Sequence, residues 1–200
     1  MKKNVGCIVT ILAVLAILAV WFVKMYNGLV SKEEAVSSAW SQVENVYQRR
    51  MDLIPNLVNT VKGAADFEQS TLQEVVAARA AATQVKVDPS QLSEENIARF
   101  QQAQDALSSS LSRLLVSVER YPDLKATQNF RDLQAQLEGT ENRITVERQK
   151  FNQAVQTFNT DIRRFPRNIV ANMFGFEKKG YFEANEGAET APVVDFGTQE

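Results

Sequence analysis

Large apolar side chains recur every seven residues in the stretch from Thr127 to Phe165. The members of this row are Phe130, Leu137, Ile144, Phe151, Phe158 and Phe165. A row with this period lines one face of a helix that packs in a bundle or coiled coil. The pattern therefore predicts one long helix, which stops at Phe165-Pro166 because a proline disfavours helical backbone in the residue before it.

A second long helix is predicted from Ser31, which can cap it, to about Gly63. Pro55 lies inside this stretch and removes one backbone hydrogen bond. Because the three-four row stays in phase across Pro55, a kinked continuous helix is favoured, and two helices broken at Ile54 are the alternative. The row consists of Val36, Trp40, Val43, Tyr47, Arg50, Ile54, Leu57 and Val61.

Two shorter helices are predicted between these long ones. The first is rich in Ala and runs from Asp66 to Val85, and Asp88-Pro89 indicates the loop after it. The second begins at Ser93 and is closed by Tyr121-Pro122-Asp123. Four helices joined by short connections pack as an antiparallel bundle. Helices 1 and 4 of that bundle would be roughly 50 to 60 Å long.

The stretch from Val5 to Val23 is an uninterrupted run of uncharged, mostly apolar residues. As a helix it spans roughly 30 Å, the hydrocarbon thickness of a bilayer. Trp21, Lys24 and Tyr26 stand at its far end, as interfacial residues do. We interpret the run as an uncleaved signal anchor, since no A-x-A-like site follows it. A cleaved signal peptide is the alternative. Lipidation of Cys7 is disfavoured because the apolar run follows the Cys.

The predicted fold class is therefore all-α, with a single N-terminal transmembrane helix followed by an antiparallel four-helix bundle. The predicted parts are a short segment 1–4, the signal anchor 5–23, the bundle 31–166, a basic-aromatic segment 167–182 and a tail 183–200. The tail has five acidic residues and no basic ones, so disorder is expected there. Pro192-Val193-Val194-Asp195-Phe196 is the exception and could lie as a short extended piece on another surface.

Composition excludes several classes of function. The net charge of −2 gives no general attraction to nucleic acid. The chain has no His and a single Cys, which removes the commonest general base and most zinc sites. No phosphate-binding loop or nucleophile elbow is present. We therefore predict no catalytic residues, no cofactor and no metal, although an all-carboxylate metal site is left open.

Four polar residues occupy positions of the helical rows that should be apolar. They are Arg50, Arg79, Gln104 and Glu147. If helices 1 and 4 are antiparallel, Arg50 and Glu147 lie at one level, which predicts a buried polar layer in which these two face each other. The structural interpretation is that the layer fixes the alignment of the helices. The functional interpretation is a ligand or partner site within the bundle.

Basic and aromatic residues interleave after the last long helix, at the end of the bundle predicted to return to the membrane. Contact with anionic headgroups is one interpretation. The other is that the aromatic side chains close the bottom of the core. The residues predicted to contact the membrane surface are Arg163, Arg164, Arg167, Phe174, Phe176, Lys178 and Lys179.

Several sequence segments resemble those of the LemA family of bacterial membrane-anchored proteins. They are Trp40-Ser41-Gln42-Val43, the stretch from Gln48 to Val58, Ala77-Ala78-Arg79, Tyr121-Pro122-Asp123-Leu124-Lys125, the stretch from Leu137 to Ile144, Phe165-Pro166 and Gly175-Phe176. The resemblance covers nearly the whole chain. It implies one N-terminal membrane helix followed by a four-helix bundle. The family has no established enzymatic activity and no agreed functional residues, so no catalytic role is carried over.

The expected function is that of a non-enzymatic, membrane-anchored scaffold in the cell envelope, with membrane lipid around its anchor. A homo-oligomer and a protein partner in the envelope are expected, and nucleic acid is not. The alternative is a membrane-active protein that binds lipid through the basic-aromatic segment. Lys2 and Lys3 stand on one side of the anchor and Lys24 and Lys32 on the other, so the orientation is weakly encoded. The N-terminal amine tips the count toward a cytoplasmic N-terminus in the inner membrane, with the bundle outside the cytoplasm.

Overall fold

The computed structural model describes residues 2–63 and 67–183, and for residues 2–10 it describes the backbone alone. In this part of the chain the regular elements are six α-helices, without a strand. Their bounds are α1 Lys2–Lys62, α2 Gln69–Gln84, α3 Glu94–Val118, α4 Pro122–Lys125, α5 Gln128–Arg163 and α6 Arg167–Phe174. The all-α class is therefore confirmed over the described residues.

Helix α1 joins the predicted membrane segment and the first bundle helix without a break. Ser31 consequently lies inside a helix, and its predicted role as a cap is wrong. Pro55 is also inside the helix, so the continuous helix is confirmed and the break at Ile54 is not found. Ile54 and Leu57 are fully buried on either side of Pro55. Their packing offsets the hydrogen bond that the proline removes.

From Ile11 to Trp21 helix α1 is mostly apolar and uncovered by other elements. The large side chains of this part are exposed, among them Ile17 at 68% and Leu12 at 60%. Among the described residues, α1 is the one helix that is long and apolar enough to cross a membrane. A helix that is hydrophobic on every side and packs against no protein matches a lipid-facing span.

Two helix pairs run antiparallel in the bundle. Lys32 contacts Asp161 and Arg50 contacts Glu141, so the order along α5 is the reverse of that along α1. Helices α2 and α3 show the same reversal through the pairs Glu74–Arg113 and Glu68–Arg120. The predicted end of α2 at Val85 is close to the observed one, while the predicted start at Asp66 lies outside the described residues. The complete four-helix topology stays a prediction.

The core consists of two clusters of buried apolar side chains, one nearer to the membrane-crossing segment than the other. We call them the proximal and the distal cluster. The proximal cluster includes Leu29, Val36, Trp40, Val43, Tyr47, Ile97, Phe100, Ile144, Phe151, Phe158, Val170 and Phe182. The distal cluster includes Met51, Ile54, Leu57, Val61, Leu72, Val75, Leu107, Leu111, Leu114, Val118, Phe130 and Leu137.

Five of the six residues in the heptad row of α5 are buried as predicted, from Phe130 to Phe158. The predicted burial of Phe165 is wrong, because this side chain is 80% exposed. Helix α5 ends at Arg163, and Arg164 has extended backbone angles. Once the helix stops, the seven-residue period no longer determines which way a side chain points.

Residues 176–183 form an extended segment that we call the strap. Helix α6 ends at Gly175, whose φ of +72° is a left-handed conformation that favours glycine. From there the strap runs back along the bundle, and its Gly180 N–H donates to the Leu92 carbonyl at 2.8 Å. Glu183, the first residue of the predicted tail, belongs to the strap. The rest of that tail lies outside the described residues.

Candidate functional site

Arg50 lies at the centre of a polar layer inside the bundle. Its side chain is 1% exposed and reaches from α1 to both α3 and α5. The guanidinium donates to Gln104 Oε1 at 2.5 Å, to Ser108 Oγ at 2.7 Å and to Glu141 Oε2 at 3.1 Å. It also lies 5.0 Å from the centre of the Tyr47 ring. The predicted association of Arg50 with Gln104 is thus present in the structure.

The predicted pairing of Arg50 with Glu147 is wrong. Glu147 pairs with Lys150 on its own helix at 2.8 Å, and the carboxylate that reaches Arg50 belongs to Glu141. Helix α1 continues through Ser31, and α5 ends at Arg163, before Phe165. Neither Ser31 nor Phe165 is therefore a helix end from which levels on the two helices can be compared, and Glu147 lies more than one turn from Glu141 along α5.

Arg79 lies next to the polar layer and outside it. Its Nε donates to the backbone carbonyl of Met51 at 3.0 Å, and the side chain is half-buried. An α2 cation therefore binds a main-chain oxygen one residue beyond Arg50. This contact links α2 to α1. Arg79 does not take part in the hydrogen bonds around Arg50.

The polar layer separates the two core clusters. On α1 the proximal cluster ends at Tyr47 and the distal cluster begins at Met51, with Arg50 between them. A charged group at this depth carries a desolvation cost, and Arg50 Nε finds no hydrogen-bond partner among the described residues. Burial raises the pKa of the neighbouring Tyr47, and the charges of Arg148 and Arg50 oppose that shift. This arrangement suits an alignment role better than proton transfer.

The second predicted set, the membrane-surface residues, divides into two groups. Arg163 and Arg164 are exposed at the end of α5. Arg167 contacts the buried Asp161, which Lys32 also contacts. Phe174 packs against Tyr26 with ring centres 4.7 Å apart and against Phe22 at 6.0 Å. Helix α6 therefore lies beside the point where the apolar run of α1 ends.

Lys178 and Lys179 point to partners in the bundle. Lys178 pairs with Glu94 at 3.6 Å, while Lys179 is 7% exposed and pairs with Glu33 at 2.7 Å. Phe176 is half-buried against Phe158. The predicted headgroup contact is therefore wrong for the buried Lys179. For Phe176 the other interpretation, an aromatic residue that closes the core, is the better one.

Sequence reasoning missed an exposed apolar stripe at the same place. Phe165, Ile169 and Met173 are spaced by four residues and are 80%, 52% and 64% exposed. Phe174 beside them is 50% exposed. The i, i+4 spacing of Ile169 and Met173 on α6 was visible in the sequence and could have identified an amphipathic helix, whereas Phe165 precedes that helix.

Side-chain amides that bind the strap were also missed. Asn159 accepts from the Lys179 N–H at 2.9 Å and donates to its carbonyl at 2.8 Å. Asn152 makes the same two bonds to Phe182 at 2.9 and 2.8 Å. Gln101 on α3 does so with Glu183, at 3.0 Å for both. The two Asn follow Phe151 and Phe158 of the heptad row, a repeat that pointed to a common role.

Over the described residues, no group of three or more Cys, Asp or Glu side chains is placed so that it could hold a metal ion. Tyr47 and Glu44 have a raised pKa, in each by burial. They line a cavity of about 670 Å³ between α1, the loop after α2 and α3.

An exposed apolar helix that continues into a packed helical bundle defines a membrane-associated structural protein. The chain belongs to the LemA family, whose model matches residues 39–196. The family expected from the sequence words is thereby confirmed.

Three relatives are similar to this chain over most of its length. Magnetosome protein MamQ 2 of Paramagnetospirillum magneticum is 25% identical, over 94% of this chain and 74% of that protein. Magnetosome protein MamQ of Magnetospirillum gryphiswaldense is 25% identical, over 84% of this chain and 68% of its own length. Protein LemA of Metamycoplasma hominis is 23% identical, over 82% and 72%. These similarities indicate a membrane-associated bacterial protein.

Proposed function

We propose that the protein is a non-enzymatic scaffold, anchored in the bacterial inner membrane, that presents its helix faces to partners in an oligomeric assembly. The observation that carries this proposal is the continuity of α1 over 61 residues, or about 90 Å, from the apolar segment into the bundle. One uninterrupted helix fixes the height and the direction of every other bundle face relative to the bilayer. Such fixed presentation suits lateral assembly.

The test is the size of the full-length protein, extracted in a mild detergent and measured by light scattering and electron microscopy. The proposal expects discrete particles that contain several chains of 22.4 kDa. Single chains at every protein concentration would overturn the oligomeric form of the proposal. The expected partner would then be a different protein of the cell envelope.

The proposed orientation has a cytoplasmic N-terminus and the bundle outside the cytoplasm. It can be tested in intact cells with a membrane-impermeant thiol reagent. The variant carries Cys7→Ser, which removes the single native Cys, and Val116→Cys, at a position that is 71% exposed on α3. Labelling in intact cells supports the proposed orientation, and labelling only after lysis reverses it.

A second candidate function is lipid binding by the outer face of α6, and the exposed stripe of Phe165, Ile169 and Met173 favours it. This face lies at the level of Phe22, where the apolar run of α1 ends, because Phe174 packs on that ring. Apolar side chains exposed at a bilayer edge gain free energy by entering the headgroup-acyl boundary. Arg163 and Arg164 beside them are placed to meet anionic headgroups.

Fluorescence quenching in proteoliposomes tests this candidate. A polarity-sensitive dye on Met173→Cys, in the Cys7→Ser background, should be quenched by lipids that carry a quencher on the acyl chain. The same dye on Val116→Cys is the matched control, since that exposed apolar position lies in the distal part of α3. Equal quenching at the two positions would contradict lipid contact by α6.

The role of the charges can be separated from that of the stripe. Replacing Arg163 and Arg164 by Gln should reduce quenching at position 173 more in anionic than in neutral vesicles. An equal loss of quenching in both vesicle types would mean that the two arginines stabilise the local structure and do not contact anionic headgroups.

A further inference from the structure

The strap fills one half of a groove between α3 and α5. Its main chain is bound from both sides, by Gln101 of α3 and by Asn152 and Asn159 of α5. Arg148 adds a further bond to the Glu183 carbonyl at 2.8 Å. These contacts involve backbone atoms, so this wall of the groove recognises an extended chain by its peptide groups.

The groove continues beyond the last strap residue. A cavity of about 550 Å³ starts at Glu183 and extends away from the membrane between the two helices. Beyond the amides that bind the strap, the groove is lined by the hydroxyl groups of Ser108, Ser109, Ser112 and Thr145. Ser109, Ser112 and Thr145 donate to carbonyls of their own helices, so their hydroxyl oxygens remain as acceptors for peptide N–H groups.

The far end of the groove has a different character. A smaller cavity of about 190 Å³ lies there, with Leu111 and Leu115 of α3 facing Leu137 of α5. Arg50 of the polar layer forms part of its floor. The groove thus offers polar walls first and an apolar pocket at its end, which is a site for an extended segment with apolar residues some distance after its start.

Chain length agrees with one occupant. From Gln101 to Leu115 the groove measures about 21 Å at 1.5 Å per helical residue. An extended chain covers that distance in about six or seven residues at 3.3 Å each. After Glu183 the first branched aliphatic residues are Val193 and Val194, ten and eleven residues on, so the chain is long enough to bring them to the pocket. The match to the family model also continues past the strap, to residue 196.

We propose that the open half of the α3–α5 groove binds the chain that follows Glu183, with Val193 and Val194 delivering the apolar side chains to the pocket of Leu111, Leu115 and Leu137. The strap delivers this chain directly into the groove. The site extends the recognition of peptide groups that the amide side chains begin, and it brings the C-terminal residues to the polar layer around Arg50.

Disulfide trapping in the full-length protein, reconstituted in lipid nanodiscs, tests this proposal. The variant carries Cys7→Ser, Ser112→Cys on the groove wall and Thr190→Cys in the following chain. The matched control replaces Ser112→Cys by Arg113→Cys. Arg113 is the next residue of α3 and faces α2, where it pairs with Glu74. Because a disulfide requires the two Cα atoms to approach within about 7 Å, a several-fold higher yield with position 112 is expected.

The form of the product identifies the occupant. A cross-link within one chain, visible as a monomer of altered mobility, supports the proposal. Equal yields from positions 112 and 113 overturn it. A predominantly dimeric product overturns it as well, since the groove would then hold the segment of a second copy.

A second variant tests the apolar pocket. Val194→Ala, added to the Ser112→Cys and Thr190→Cys pair, should lower the intrachain yield several-fold, because it removes the apolar surface that the pocket would bury. Thr198→Ala makes a truncation of similar size four residues later and should leave the yield unchanged. Equal yields with and without Val194→Ala would overturn the assignment of the pocket.

Discussion

The two halves of the core are built from different side chains. In the proximal cluster Trp40 touches the rings of Phe100, Phe151 and Phe182, with ring centres 5.1, 5.5 and 6.0 Å apart. The distal cluster is mainly aliphatic, and its one buried ring is Phe130. The proximal half thus relies on a few large rings and the distal half on many branched aliphatic chains.

The halves also differ in how they are closed. The distal cluster is closed by α2 and α4, which are linked to their neighbours by short connections. The proximal cluster is completed by Phe182 of the strap, which arrives from the far end of the chain. The membrane-proximal core is therefore complete only when the strap docks, whereas the distal core does not depend on the strap.

The largest expected effect is that of Phe151→Ala. Phe151 is fully buried against Trp40 and Phe182, so its truncation should lower the free energy of unfolding by about 3–5 kcal/mol. It should also speed amide hydrogen exchange in the strap, since Phe182 loses a ring contact. Chemical denaturation and exchange mass spectrometry measure the two effects.

Leu114→Ala in the distal cluster is the matched comparison. Leu114 is fully buried too, and its loss should cost about 2–5 kcal/mol. Exchange in the strap should nevertheless stay as it is in the unaltered protein. If both variants loosen the strap equally, the two halves are one cooperative core and the comparison fails.

The next effect is expected at Gly180. A Cβ at this position would lie 2.6 Å from the Glu94 Cα, so Gly180→Ala must displace the strap from α3. We expect a loss of about 1–3 kcal/mol of stability, as is usual for overpacking. Faster cleavage within the strap by a nonspecific protease should accompany it.

Gly139→Ala provides the control. Gly139 is a helical residue of α5 with no atom near the position of a new Cβ, so alanine there should stabilise the protein by about 0.5–1 kcal/mol. A Gly180→Ala protein as stable as this control would show that the strap does not contribute to closing the proximal half.

The polar layer between the halves is tested by Glu141→Gln. This removes the one carboxylate bound to Arg50, while the amide can still occupy the space. Because the Glu141 side chain is 53% exposed, water softens the loss, and a cost of about 1 kcal/mol is expected by thermal unfolding. Glu138→Gln, one turn away on α5, should leave the stability unchanged. An equal loss of stability in the two variants would show that the Glu141–Arg50 contact has no specific role.

The smallest effect concerns Tyr47 at the border of the layer. Burial raises the pKa of this phenol above its ordinary value of 10.0, so the folded state holds the proton more tightly than the unfolded state. The corresponding stability is complete below pH 10 and is lost as the pH rises toward the folded-state pKa. Stability measured between about pH 8 and about pH 11 should therefore fall more steeply than in Tyr47→Phe. Parallel curves for the two proteins would contradict this.

Much of the architecture could be predicted from local patterns. On α3 the residues that recur at three-four spacing in the sequence are all buried, namely Ile97, Phe100, Gln104, Leu107, Leu111, Leu114 and Val118. Ser93 caps that helix as predicted, accepting from the Asn96 N–H at 3.2 Å. Such features depend on helical periodicity and on groups within a few residues of each other, and the sequence states both directly.

The candidate sites were harder to predict, because they depend on how separate helices align. The sequence showed that Arg50 and Gln104 occupy apolar rows, and it could not state which α5 carboxylate reaches Arg50. A shift of six residues separates Glu147 from Glu141, and small errors in the assumed helix ends are enough to produce it. The ion pairs of Lys178 and Lys179 could not be predicted from the sequence for the same reason.

The sequence by itself determined the helical class, the apolar segment of α1, the buried rows and the family. Periodicity and composition carry that information, because each helix must bury its own apolar face. The tertiary structure alone decided that Glu141 binds Arg50, that the strap completes the proximal cluster and that Phe165 and the α6 residues Ile169 and Met173 are exposed near the end of the apolar run of α1. These features are contacts between residues distant in sequence, and they are determined by the packing of whole helices.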